Sequence, residues 1–143
     1  MATIKRTKEW LNRSYETYRQ LKSFKKRLSR ITHANISRYE QTFTGDSGNS
    51  TEAKMIAYAE LNEKIDKAEE ELKKEDARTK KVIDNVQTPV YWAILTDHYL
   101  KRWGWQRIAK EYGYSERHIL RIHGRALQEV AKFVPEEAEN EVN

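Results

Sequence analysis

WGWQRIAKEYGYSERHILRIHGRAL, residues 103–127, decides how this chain is read. Two tryptophans bracket a glycine, a Gly-Tyr-Ser run comes next, and basic residues then recur among aliphatic ones. Trp105, Ile108, Ala109 and Tyr112 stand at i, i+3, i+4 and i+7, which is one apolar face of a helix of about two turns. Ala109 is the small member, the kind of side chain that lets two short helices cross closely. Gly113 supplies the positive φ that ends a helix and opens a tight turn. Ser115 suits the N-cap of the next helix and Glu116 its positive end. Tyr114 and Ile119 flank that cap at the spacing of a hydrophobic staple. Ile119, Ile122, Ala126, Leu127 and Val130 line one face of this helix, which ends before Pro135.

A short helix, a glycine turn and a second, capped helix make a helix-turn-helix, in which the second helix enters the major groove with its first residues foremost. Those residues are Ser115, Glu116, Arg117 and His118, with Arg121 one turn on and Arg125 beyond. Arginine can bond two acceptors of guanine at once and glutamate can accept from the cytosine amino group. Ser115 and the helix N-terminus suit a phosphate, with His118 and Arg125 beside them. Lys101, Arg102, Arg107, Lys110 and Lys132 are further candidates for backbone phosphates. An ordinary three-helix bundle with a solvated arginine face is the plain alternative. The small residue at the crossing, the cap placed just after the glycine turn and the cationic outer face favour the DNA-binding reading.

Upstream, Thr88-Pro89 restarts the chain: Thr88 can cap, and proline suits the first helical position, where its missing N–H would have no partner. Tyr91, Ile94, Leu95 and Tyr99 form one stripe, with Trp92 at its edge, and Gly104 breaks this helix and caps the next. Further upstream, Leu11, Tyr15, Tyr18, Leu21, Phe24, Leu28 and Ile31 make a stripe on a helix from Lys8 to Thr32. TGDSGNST, residues 44–51, has loop composition and offers Ser50 or Thr51 as a cap. From there to about Val86, Tyr58, Leu61, Ile65, Ala68, Leu72, Glu75, Thr79, Val82 and Val86 alternate steps of three and four, a heptad seam with polar breaks at Glu75 and Thr79. So long a helix needs a partner along its length.

Charge suggests two partners. Residues 1–38 carry eleven basic residues against Glu9 and Glu16, while residues 39–90 are acidic, with glutamates at 69–71. The basic helix can fold back on the acidic one, or the seam can pair with a second copy in a homodimer. The expected layout is therefore all-α: a helical hairpin or coiled coil over residues 1–87, a DNA-binding unit over 88–134, and an acidic, disordered tail over 135–143.

The 143 residues carry a net charge of +5 with a pI near 9.3, a balance that suits a polyanionic partner. Without cysteine, thiol nucleophiles, disulfides and cysteine-ligated zinc are excluded. The N-terminus lacks the apolar run of a signal peptide and no segment approaches a membrane span, so a cytoplasmic protein without membrane association is expected. His118 and His123 are five apart on one helix, hence on different faces, and His98 has only Asp97 beside it; no metal site is expected. No Gly-rich phosphate loop, no Ser-His-Asp set and no framed pair of carboxylates is present, so neither an enzyme nor a cofactor is expected. Trp105 is expected in the core.

Residues 90–130 resemble region 4 of bacterial sigma factors, through LTDHYL (95–100), Trp-x-x-Ile-Ala (105–109) and Tyr-Ser-x-x-x-Ile-x-x-Ile-x-x-x-Ala-Leu (114–127). The resemblance implies that Glu116, Arg117 and Arg121 read bases. The chain is too short for a sigma factor, and its whole layout is similar to phage transcriptional regulators of the ArpU and RinA type. That likeness implies a prophage late-gene activator bound to double-stranded DNA. Two alternatives share the layout: an assembly protein resembling a phage small terminase subunit, and a sigma-like adaptor that binds RNA polymerase.

Overall fold

The computed structural model describes residues 2–41 and 48–135, with side chains described outside 32–51. Its regular elements are all helical, and the described residues contain no strand. Two long helices, α1 (Ile4–Gln41) and α2 (Gly48–Ile83), precede α3 (Pro89–Leu95), a π-helical turn (Thr96–Leu100), α4 (Trp105–Tyr112), α5 (Glu116–Val130) and a closing 3-10 turn (Ala131–Phe133). No helix is long and apolar enough to cross a membrane among the described residues.

The chain divides into two compact units, Met1–Tyr15 with Lys74–Asn143, and Glu16–Lys73. The division falls inside both long helices, not at 87/88. Its cause is apolar: Trp10 and Leu11 of α1 and Val82, Ile83 and Val86 at the end of α2 share one core with Leu95, Tyr99, Ala126, Leu127 and Val130. The three short helices thus have no core of their own on that side; the ends of the long helices complete it. A second apolar cluster in this unit joins Ile94 of α3, Ile108 and Ala109 of α4, and Ile119 and Ile122 of α5. The acidic tail after Pro135 lies outside the described residues, as do residues 44–47 of the anticipated loop. Gly48 already starts α2, so Ser50 and Thr51 lie within the helix and not at its cap.

In the smaller unit the heptad seam finds its partner in the same chain. Leu61, Ile65 and Ala68 of α2 are buried with Leu21 of α1, and Phe24, Leu28, Ile31 and Leu72 pack against them. Tyr58, expected in the seam, is exposed. Lys25 and Glu69 pair at 3.0 Å across the two helices, the expected match of charge, though so exposed a pair adds little stability. A homodimer built on this stretch of the seam would compete with α1.

The polar breaks belong to the larger unit and have a structural purpose. Arg13 donates from Nη1 to Thr79 Oγ1 at 3.1 Å and from Nη2 to the Glu75 carbonyl at 3.0 Å, while its guanidinium lies 3.8 Å over the Trp10 ring. Thr79 is fully buried. Hydrogen bonds of this kind fix which turn of one helix meets which turn of the other. α1 here turns Thr7, Trp10, Leu11 and Ser14 inward and leaves Tyr15 outside. The aliphatic and aromatic stripe points to Tyr15; the buried spacing of 7, 10, 11 and 14 includes two small hydroxyl residues, which allow the helices to approach.

Candidate nucleic-acid interface

Residues 103–127 fold largely as their spacing dictates. Gly104 occupies the N-cap of α4 with ordinary extended backbone, φ −70° and ψ 162°. α4 buries Ile108 and Ala109, and Gly113 ends it in the left-handed region at φ 70°. The Gly113 and Tyr114 amides close the turn onto the Lys110 and Ala109 carbonyls. Ser115 then caps α5, its Oγ accepting from the His118 amide at 3.1 Å. The staple does not form as expected: Ile119 is fully buried, but Tyr114 is exposed and sets its ring edge-on to His118, with centroids 4.7 Å apart. Pro89 opens α3 at its first position, whereas Thr88 stands at the N-cap without a side-chain capping bond.

α5 buries Ile119, Ile122, His123, Ala126, Leu127 and Val130 and turns the opposite side out. Glu116, Arg117 and Arg121, the expected base readers, are all exposed. Arg117, Arg121 and Arg125 succeed one another at i, i+4 and i+8, so they share one side of the helix over about two turns. None of these three forms an ion pair among the described residues. Ser115 is exposed at the cap, and His118 is exposed beside Tyr114. Lys110 and Lys132 are exposed. Arg107 is exposed with its guanidinium 4.0 Å from the Trp103 ring centre, and Lys101 lies 5.1 Å from the same ring while pairing with Asp97 at 3.4 Å.

Arg102 must be withdrawn from the phosphate contacts. Its side chain is only 13% exposed, and Nη2 donates to both carboxylate oxygens of Asp76 at 2.9 Å while Nη1 donates to the Leu100 carbonyl. Arg102 also adopts φ 60°, the one non-glycine residue in the left-handed region among those described. It is an internal fastener between the end of α2 and the segment that leads into α4.

Behind α5 lies a buried polar cluster that the sequence patterns do not announce. The Tyr99 hydroxyl and His123 Nε2 are 2.7 Å apart, His98 stacks on Trp105 with centroids at 3.8 Å, and the His123 ring lies 4.5 Å from that of Trp105. Burial pushes His123 down to about 4, aided by the nearby His98 and Lys8. The ring is therefore neutral at pH 7 and shares one hydrogen bond with the Tyr99 hydroxyl. Burial likewise lowers His98, against the raising effect of its hydrogen bond to the Trp103 carbonyl. Burial raises Tyr99 as well. Asp97 is buried too and accepts from the Tyr112 hydroxyl at 2.6 Å; burial first, then this carboxylate, pushes the Tyr112 phenol up to about 12. One signal of the cluster exists in the chain: His123 lies four residues after Ile119 and four before Leu127, on the inward face.

These groups already satisfy one another. A groove of about 460 Å³ in the same unit, lined by Leu11, Ser14, Tyr15, His98, Tyr99, Arg102 and Trp103 among others, therefore offers no set of free reactive side chains. Among the described residues no three histidine, aspartate or glutamate side chains converge as metal ligands. What the surface does offer is a capped helix with a row of cations beside its exposed N-terminal turn. In comparison with known proteins, no protein-family profile, curated protein or solved structure matches the chain.

Proposed function

We propose that the protein is a sequence-specific binder of double-stranded DNA that regulates transcription, in the manner of the phage late-gene activators whose layout it resembles. One observation carries the reading: α5 opens on a formed Ser115 cap and presents Glu116, Arg117 and Arg121 outward, with Arg117, Arg121 and Arg125 in one unpaired row among the described residues. A helix N-terminus with exposed cations fits phosphates, and arginines one turn apart can reach successive base edges. Ser115, His118, Arg125, Lys101, Arg107 and Lys110 act as phosphate contacts in this reading.

Selection of bound duplexes from a random pool tests it. The wild-type chain should enrich a defined site, and Arg117→Ala or Arg121→Ala should lose preference for that site, on the order of tenfold or more, while weak and salt-sensitive binding persists. Equal loss on every sequence would make these arginines phosphate clamps. Because Leu61, Ile65 and Ala68 are buried against α1, we propose that any homodimer uses another surface, so its mass should be measured with and without DNA. A ring of many copies would favour a DNA-packaging assembly protein. Binding to RNA polymerase with no affinity for duplexes at low salt would favour the adaptor.

A further inference from the structure

We propose that Leu120, beside the bare helix step at Gly124, is a contact for the 5-methyl group of thymine in the major groove; this rests on the DNA-binding reading above. Leu120 is 48% exposed and belongs to neither apolar core of its unit. It lies three residues after Arg117, one before Arg121 and four before Gly124, which sets it on the outward side of α5 among the residues assigned to base edges. A lone exposed leucine is ordinary on a protein surface. This one, however, stands where a charged or polar side chain would suit either solvent or a phosphate.

Gly124 supplies a second observation. It sits inside α5, its φ is not positive, and a Cβ placed on it would meet nothing within 4 Å. Alanine would fit and would favour the helix, so nothing within the fold calls for glycine. Its effect is to leave the surface next to Leu120 without a side chain for one turn. An aliphatic group with clearance beside it matches the one apolar feature that a DNA base displays in the major groove, the thymine methyl, and the flanking arginines match guanine acceptors. The α5 surface would then read a step containing both guanine and thymine.

The test uses the full chain and the best duplex from the selection, with each thymine replaced in turn by deoxyuridine, which deletes only the methyl group. Fluorescence anisotropy should show about a 3–10-fold loss of wild-type affinity at one or two adjacent positions, the scale of one buried methyl. Leu120→Ala should bind the thymine duplex with that reduced affinity and no longer distinguish thymine from deoxyuridine, with thermal unfolding unchanged. Gly124→Leu should fold and yet bind the duplex at least tenfold more weakly. A selected site without thymine, equal wild-type affinity at every deoxyuridine position, or retained discrimination by Leu120→Ala would overturn the inference and leave the DNA-binding reading standing. Failure of the wild-type chain to prefer any duplex would overturn both.

Discussion

Two helix-to-helix junctions in the larger unit turn the chain by different means. Between α4 and α5 a glycine takes φ 70°, a serine caps the second helix, and the backbone itself makes the turn. Between α3 and α4 the glycine at 104 takes an ordinary φ of −70°, and an arginine two residues earlier occupies the left-handed region. There, side chains hold the turn: Arg102 on Asp76, Asp97 on Tyr112, His98 on the Trp103 carbonyl. A glycine marks a left-handed position only when nothing else fixes the backbone. Where a charged pair and a buried cluster do so, an arginine can take that conformation and the strain of roughly 1–2 kcal/mol is offset elsewhere.

The largest expected difference between the junctions is acid sensitivity. His123 and His98, which hold the α3–α4 side, have depressed proton affinity, whereas the α4–α5 turn contains no buried titratable group of this kind. Between the ordinary histidine value of 6.5 and about 4, the unfolded chain binds a proton that folded His123 refuses. Stability therefore falls as pH drops through that window, by up to about 3 kcal/mol, and His123 contributes no slope above it. Urea unfolding at pH 7, 5.5 and 4.5 should show this, and His123→Gln should flatten the slope. Parallel slopes in wild type and variant would show that the cluster does not exclude the proton.

Removing the Arg102 guanidinium comes next. Arg102→Ala strands a partly buried Asp76 carboxylate and keeps the positive φ, so a loss of about 2–3 kcal/mol is expected by denaturant unfolding. Arg102→Gly loses the same ion pair but relieves the backbone, and should be about 1 kcal/mol better than the alanine variant. Identical midpoints would mean that the left-handed arginine stores no strain. Gly113→Ala, at φ 70°, should cost about 1 kcal/mol in the same assay. Smallest is Gly104→Ala: ordinary φ and open space at the Cβ leave no strain, so only the poorer N-cap preference of alanine counts, at about 0.5 kcal/mol. Equal losses at the two glycines would erase the contrast between the junctions.

The same contrast separates what is legible in the sequence from what is not. The apolar period locates α4 and α5, Gly113 and Ser115 locate the turn and the cap, and the helical halves of the chain emerge from long uninterrupted stripes. These are local preferences, and each is visible in a window of a few residues. The division inside the long helices is not legible, because it depends on Trp10 and Val86 meeting Leu127 from far along the chain. Arg102 resembles a phosphate contact because its charge is plain in the sequence and its partner, Asp76, lies 26 positions away. Tyr15 is expected inside because large apolar residues dominate a stripe, yet Thr7 and Ser14 are the ones small enough to be covered. Exposure of Glu116, Arg117 and Arg121 is dictated by the period that buries Ile119 and Ile122. The same period leaves Leu120 off the buried face, and its exposure is 48%.

The π turn over Thr96–Leu100 carries a consequence for how this architecture tolerates change in length. A π turn accommodates one residue more than an α-helical turn while preserving the path of the helix on either side. Any chain that closes the same stretch with an ordinary α turn would be one residue shorter between Leu95 and Trp105. Positions matched one to one across that stretch would slip by a single place, rotating Asp97 or Tyr99 by about 100° from their true counterparts. The surplus residue thus acts as a built-in frame shift: it sets which side chains reach the buried histidine and which reach the start of α4.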